Sequence, residues 1–303
     1  MAPTRSCLRQ ALELATMLSL LLGSAHAQSI DAMSYNIRYD NPDDGENSWE
    51  LRKAGLVNQL RFYAPDLFGI QEGEYQQVRY IDEALPEFAW VGVGREDGLT
   101  GGEFSAIYYD TRRLKVLQDS TFWLSDTPAE VSIGWDAAIK RVCTYALFED
   151  LASSQKFWVF NTHFDHIGVM AREQSAMLIR AQIARINEQD YPVLLMGDFN
   201  AEPDSKPIAT LTASFEDAST VARLRFGPDG TRGGFYVAEP ITRRIDFIFT
   251  SPGDWEVLKY AVLSDSLDMK YYSDHLPVFV EVALRIGAPW PAGSAPRNGA
   301  VGN

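Results

Sequence analysis

Polar clusters at the ends of apolar runs are where this chain of 303 residues could do chemistry. In "NTHFDHIG", from Asn161 to Gly168, two of the four histidines, His163 and His166, flank Asp165. In "VLLMGDFNAEPDS" an apolar strand delivers Asp198 and Asn200, two apart, into a turn: a carboxylate acceptor beside an amide that both donates and accepts. "MSYNIRYD" places Asn36 after a strand, "DLFGIQEG" places Glu72 after another, and "YYSDHLPVFVEV" sets Asp274 and His275 at the entrance of a third. "RRIDFIFTS" puts Asp246 between Ile245 and Phe247, where an unpaired carboxylate costs several kcal/mol. Its partner is expected among Arg243, Arg244 and His275. Taken singly, each cluster is also ordinary turn or strand-end chemistry. Together they supply groups that move protons and groups that hold a hard divalent cation.

The two histidines of "NTHFDHIG" invite a zinc reading, and the sequence opposes it. An H-x-H-x-D-H zinc motif needs a third His at position 161, which holds Asn161. Strand alternation puts Asn161, His163 and Asp165 on one face. His166 falls where the chain turns toward a helix beginning near Val169, and a structural role is expected for it, with Asp165 a nearby support.

The elements that must position these groups are mostly strands. Aromatic or β-branched runs bounded by Gly, Asp, Asn or Pro recur, among them "IDAMSYNI", "LFGIQ", "FSAIYYD", "KVLQDSTFWL", "RVCTYALFE", "KFWVFNTH", "PVLLMGD", "RRIDFIFTS", "WEVLKYAVL" and "HLPVFVEVAL". Helical periodicity is confined to "SWELRKAGLVNQLRFY", "EYQQVRYIDEAL" and "MAREQSAMLIRAQIARINEQ". Many strands with few helices predict two sheets packed face to face with helices outside. The strand ends then converge on one rim, where sites are commonly built.

Arg5 and Arg9 precede "LATMLSLLLGSAHA", which ends in the small-x-small pattern Ala25-His26-Ala27; residues 1–27 are expected to be a cleaved signal peptide. The apolar run is short for a membrane span. No stable membrane insertion is expected, and the mature chain should be secreted or periplasmic. Cleavage removes Cys7 and leaves Cys143 alone, so stability must come from packing rather than a disulfide. No Pro/Gly-rich linker divides residues 28–286, which are expected to form one domain. Residues 287–303, rich in Gly, Pro and Ala, read as a disordered tail. The formal charge of −14 becomes one unit more negative without the signal, and no basic patch with interleaved aromatics is present. That balance argues against long nucleic acids as partners, although the basic loop "TRGGFYVAEPITRR" could contact a substrate phosphate.

The motifs "MSYNIRYDN", "GIQEG", "NTHFDHIG", "MGDFNAEPDS", "RIDFIFTS" and "SDHLPVFVEV", in this order from about Ile30 to Val282, resemble the endonuclease/exonuclease/phosphatase superfamily, the fold of DNase I. They look most like its secreted bacterial members and, more distantly, the branch of CCR4-type deadenylases and nocturnin. The resemblance implies a four-layered αββα sandwich of two mixed sheets flanked by helices. It implies hydrolysis of phosphoester bonds with Mg²⁺ or Mn²⁺, with Glu72 as principal metal ligand and Asn36 and Asp274 completing or supporting the site. Asp198 would orient or deprotonate the attacking water, with Asn200 fixing that geometry. His275 would be hydrogen-bonded to Asp246. His163 would contact the phosphate, backed by Glu103, and Arg141 would be a phosphate-binding residue. The expected substrate is a phosphate ester: a small molecule, a lipid headgroup or a short nucleotide. A phosphodiesterase or phosphatase is expected first, a nuclease second and a silent binding module last, with the protein a monomer.

Overall fold

A computed structural model describes residues 29–285; the expected signal (1–27) and tail (287–303) lie outside the described residues. Within them the chain forms β1 (Ser29–Asn36), α1 (Trp49–Tyr63), β2 (Leu67–Gln71), β3 (Gly73–Glu74), α2 (Tyr75–Ala84), β4 (Phe88–Val91), β5 (Glu103–Phe104) and β6 (Ile107–Asp110). It continues through β7 (Leu114–Trp123), β8 (Val142–Asp150), β9 (Lys156–His163), α3 (Val169–Ile186), β10 (Val193–Asp198) and α4 (Lys206–Thr212). The last elements are β11 (Glu216–Asp217), α5 (Ala218–Val221), β12 (Leu224–Phe226), β13 (Asp246–Thr250), β14 (Trp255–Val262) and β15 (Val278–Leu284).

These elements make the expected sandwich. One sheet has seven strands in the order β12-β14-β15-β1-β2-β6-β4, the other six in the order β11-β13-β10-β9-β8-β7. Alternation along each strand sorts side chains between layers. Ile30, Ala32, Val159, Met196, Ile248 and Val280 fill the space between the sheets. Met33, Tyr35, Phe68 and Tyr108 face outward against Trp49, Leu56 and Leu60 of α1 and Ile81 of α2. Trp158, Phe160 and Phe247 face outward on the other side, against Ile179 and Ile183 of α3 and Leu211 of α4. Each buried aliphatic or aromatic side chain contributes about 1.5–3 kcal/mol, and Cys143 is free and buried, its thiol pushed up by burial.

The differences from the sequence reading are local. "FSAIYYD" divides into β5 and β6, and the short strands β3, β11 and β12 had no periodic signal long enough to reveal them. Asp246 opens β13 instead of lying inside a strand. The reason is Thr231, whose hydroxyl accepts the backbone N–H groups of both Ile245 and Asp246, each at 3.1 Å, in place of a ladder partner.

Candidate active site

The parity that fills the inter-sheet layer also builds the site. Beyond Val159, β9 places Asn161 and His163 on the inner face; beyond Met196, β10 places Asp198 there; before Ile248, β13 places Asp246 there. Register makes these a row: Asp198 is paired with His163 on the parallel side and with Asp246 on the antiparallel side. Neighbouring strands lie about 4.8 Å apart, so three functional side chains stand abreast. The facing sheet brings Asn36, paired with Gln71 at the ends of β1 and β2. The next residue, Glu72, takes the left-handed φ of +63° that turns its carboxylate back over the row. The sheets are tied just below by Asn161, whose amide donates to Ile70 O (2.8 Å) and Ala106 O (2.9 Å) and accepts from Gln71 Nε2 (2.7 Å). Gly69 permits this: a Cβ there would lie 2.6 Å from the Asn161 side chain.

Asp198 is the centre of the hydrogen-bond network. Its Oδ1 accepts Asn200 N–H at 2.8 Å and its Oδ2 accepts Asn36 Nδ2 at 2.9 Å. The same Oδ2 lies 3.4 Å from His163 Nε2 and 3.8 Å from His275 Nε2. Asn36 Nδ2 also donates to Glu72 Oε1 at 3.0 Å, while its oxygen accepts Arg38 N–H at 3.0 Å. A backbone N–H can only donate, which fixes the amide's orientation. Asn36 therefore separates two carboxylates by donating to both, and its oxygen accepts from the backbone. Burial, with Asp246 adding to it, raises the Asp198 carboxyl to about 7. Burial alone would lower His275, but Asp246 and then Asp198 outweigh it and raise the imidazole to about 10. His275 Nδ1 meets Asp246 Oδ2 at 2.9 Å, and Thr231 Oγ1 donates to that oxygen at 2.6 Å. Arg243 and Arg244 are not the partners of Asp246: they pair with Glu202 and Asp217.

The surroundings of His163 differ from expectation. Glu103 does not back it; Arg141 does, with Nη1 donating to His163 Nδ1 at 2.9 Å. Glu103 accepts from Arg95 through both oxygens, at 2.5 and 2.8 Å, and lies 4.0 Å from Arg141. Arg141 is buried but lines the cavity, and its other terminal nitrogen donates to His166 Nδ1 at 3.0 Å. Burial, then the nearby Arg141 charge, holds His163 well below the ordinary imidazole value. Asn200 Nδ2 lies 3.1 Å from His163 Nε2 and donates to Phe164 O at 3.1 Å. His166, expected to be structural, instead lines the cavity. Asp165 holds the turn beneath it, accepting Ala138, Ile167 and Gly168 N–H groups.

These residues surround a cavity of about 490 Å³ lined also by Arg38, Tyr39, Arg232, Arg243 and Asp274. Its floor is acidic and its rim cationic. Arg38 and Arg232 approach Asp274 Oδ2 at 4.0 and 3.9 Å. Sequence reasoning marked the loop carrying Arg232 and Arg243 as basic, but missed Arg38 and Thr231, which are ordinary residue types in unremarkable local settings. Divalent-cation chemistry fits the donors present. Glu72, His163 and Asp198 offer ligand atoms within 4.8 Å of one another, as do Asp198, Asp246 and His275. Buried Oδ1 atoms of Asp246 and Asp274 have no hydrogen-bond partner, a deficit that a hard cation would meet.

The comparisons with known proteins agree with this geometry. The family model described as the Endonuclease/Exonuclease/phosphatase family matches residues 33–275. A solved family protein from Bacteroides thetaiotaomicron is 32% identical, with a TM-score of 0.84 over 86% of this chain and 99% of its own. A second from that organism, a mannosyl-6-phosphatase, is 34% identical, with a TM-score of 0.82 over 84% of this chain and 100% of its own. An uncharacterized protein of Acanthamoeba polyphaga mimivirus is 30% identical over 252 residues, 77% of this chain and 91% of its own. The buried Asp198 row and the chain-long match place this protein in the endonuclease/exonuclease/phosphatase family of phosphoester hydrolases.

Proposed function

We propose that this protein is a divalent-metal-dependent phosphomonoesterase for small, hydroxyl-rich organic phosphates, acting outside the cytoplasm after loss of residues 1–27. The observation that carries the reading is the cavity itself. Its lining residues are polar or charged apart from Tyr39 and Ile139, and they set cationic arginines above a buried carboxylate between two imidazoles. Such walls give no purchase to a lipid chain, and Arg38 already sits 4.6 Å over the Tyr39 ring, where a nucleic-acid base would stack. The solved relative named a mannosyl-6-phosphatase supports the same substrate class.

Glu72 and Asp274, with Asn36 in support, would hold Mg²⁺ or Mn²⁺, which when bound offsets phosphate charge. The rest falls to the protein's own groups. Asp198, poised near neutrality, takes the proton of the water that attacks phosphorus. His275, kept protonated by Asp246, is not the base; from Nε2 it supplies the proton to the departing alcohol oxygen as the P–O bond breaks. His163, held by Arg141 at Nδ1 and by Asn200 at Nε2, lines the same space and orients the phosphate. The test is turnover of a hexose 6-phosphate, p-nitrophenyl phosphate, bis(p-nitrophenyl) phosphate and single-stranded RNA with Mg²⁺ or Mn²⁺. Monoesters should turn over fastest; RNA or the diester leading the series would refute the reading. Export is checked separately, by N-terminal sequencing of protein recovered from outside the cytoplasm.

A further inference from the structure

His166 is the one imidazole of the cavity that the mechanism above leaves without a part. Its side chain is 49% exposed, against 7% for His163 and 3% for His275. It is nevertheless held in place. Arg141 Nη2 donates to its Nδ1 at 3.0 Å, and the turn that carries it is pinned on both sides. Asp165 accepts three backbone N–H groups, and Arg172 Nη1 donates to Asp165 O at 2.8 Å. Arginine has no acceptor and keeps its charge in proteins. The His166 ring must therefore present a bare Nδ1, which leaves the proton of the neutral ring on Nε2. Among the described residues, His166 Nε2 has no hydrogen-bond partner. The result is a neutral N–H donor at the cavity rim, its direction set by a buried guanidinium.

We propose that His166 is a substrate-binding residue whose Nε2–H donates to a hydroxyl of the alcohol portion, with Arg141 as the positioning residue that sets its tautomer. The assignment rests on the phosphomonoesterase reading. Depth decides which part of the substrate His166 meets. His163, His275 and Asp198 line the buried floor, where a phosphate must go to be attacked, so a half-exposed rim residue meets what projects from it. Charge decides the chemistry. A neutral donor suits a hydroxyl, whereas a second phosphate would be better met by Arg232 and Arg243, 41% and 47% exposed on the basic loop of the same cavity.

One experiment separates this from the functional reading. Steady-state kinetics of wild type, His166→Ala and His166→Gln would be measured with a hexose 6-phosphate and with p-nitrophenyl phosphate, whose leaving group lacks hydroxyls. Loss of one neutral hydrogen bond predicts about a threefold to tenfold fall in kcat/KM for the sugar phosphate. That fall should lie mainly in KM, be partly restored by Gln, and be small with the aryl ester. Equal losses on both substrates would overturn the assignment while leaving the phosphatase reading intact; no monoester turnover by the wild type would overturn both. A second measurement needs no turnover. ¹⁵N–¹H spectra of the wild-type histidine rings at pH 8 should show His166 protonated on Nε2, and an Nδ1–H tautomer at His166 would refute it.

Discussion

Replacing Asp198 by Asn should make the protein more stable and nearly inactive. The folded environment raises this carboxyl from 3.8 to about 7, chiefly by burial and then by Asp246. About three pH units correspond to on the order of 4 kcal/mol of destabilisation whenever the group is ionised. The sign follows from where the proton is held more tightly, here in the folded state. Below pH 3.8 both states carry the proton and there is no penalty; it grows between 3.8 and 7 and is complete above 7. Asn is neutral at every pH and removes it. Against this, the carboxylate accepts from Asn200 N–H on one oxygen and Asn36 Nδ2 on the other, and an amide must turn its NH₂ toward one of these donors. That mismatch costs about 1–3 kcal/mol. The variant should therefore be more stable than wild type by about 1–3 kcal/mol at pH 8, an upward Tm shift of several degrees, and less stable by a similar amount at pH 4. Thermal unfolding in EDTA at both pH values measures this without linkage to bound metal. Turnover should fall by about 10²–10⁴ if Asp198 is the base. A variant that is less stable at both pH values, with an unchanged difference between them, would refute the idea that Asp198 is held as a costly buried charge.

Three further outcomes are expected. Asp31, half-buried beside Asp66 and Glu281, has its carboxyl raised by burial and then by Asp66 to about 6. Asp31→Asn should accordingly stabilise by about 1 kcal/mol at pH 8, after allowing for solvent screening, and by nothing at pH 3.5, as read from urea midpoints. Gly69→Ala puts a methyl 2.6 Å from the Asn161 side chain, so the buried bonds of Asn161 to Ile70 O and Ala106 O should be strained at a cost of about 2–4 kcal/mol by the same assay. EDTA should abolish turnover and Mg²⁺ or Mn²⁺ restore it, each ion also raising Tm; full activity in the chelator would refute the metal assignment.

Much of the site was legible because burial makes polar residues conspicuous. Asp246 sits among Ile245, Phe247 and Ile248, so it needed a partner, and His275 was one of three on offer. Sequence could not choose among them. Arg244 is adjacent but pairs with Asp217, whereas His275, 29 residues away, is brought in by the loop before β15. His166 was misjudged for a related reason. Its chain neighbours describe a helix entry, which is correct, but the residue that fixes its ring is Arg141, just before β8 and 25 residues distant. Asn161 first counted only as a missing zinc ligand, yet it ties one sheet to the other. Local pattern reports which residues are buried and polar; partner choice depends on strand register, which short runs do not encode.

The row of polar residues at the candidate site and the core are products of one alternation, and this explains the tuning of the site. Met196 lies two residues before Asp198 and Ile248 two after Asp246, so the faces that pack the inter-sheet layer continue into the site without a boundary. Burial at the foot of the cavity raises the Asp198 carboxyl toward neutrality. The same burial would strip the charge from His275, and Asp246 prevents it. Asp246 thus acts in two directions at once, raising Asp198 by repulsion and His275 by attraction. Two carboxylates side by side on adjacent strands, with one imidazole reaching both, are enough to draw the proton affinities of Asp198 and His275 upward together.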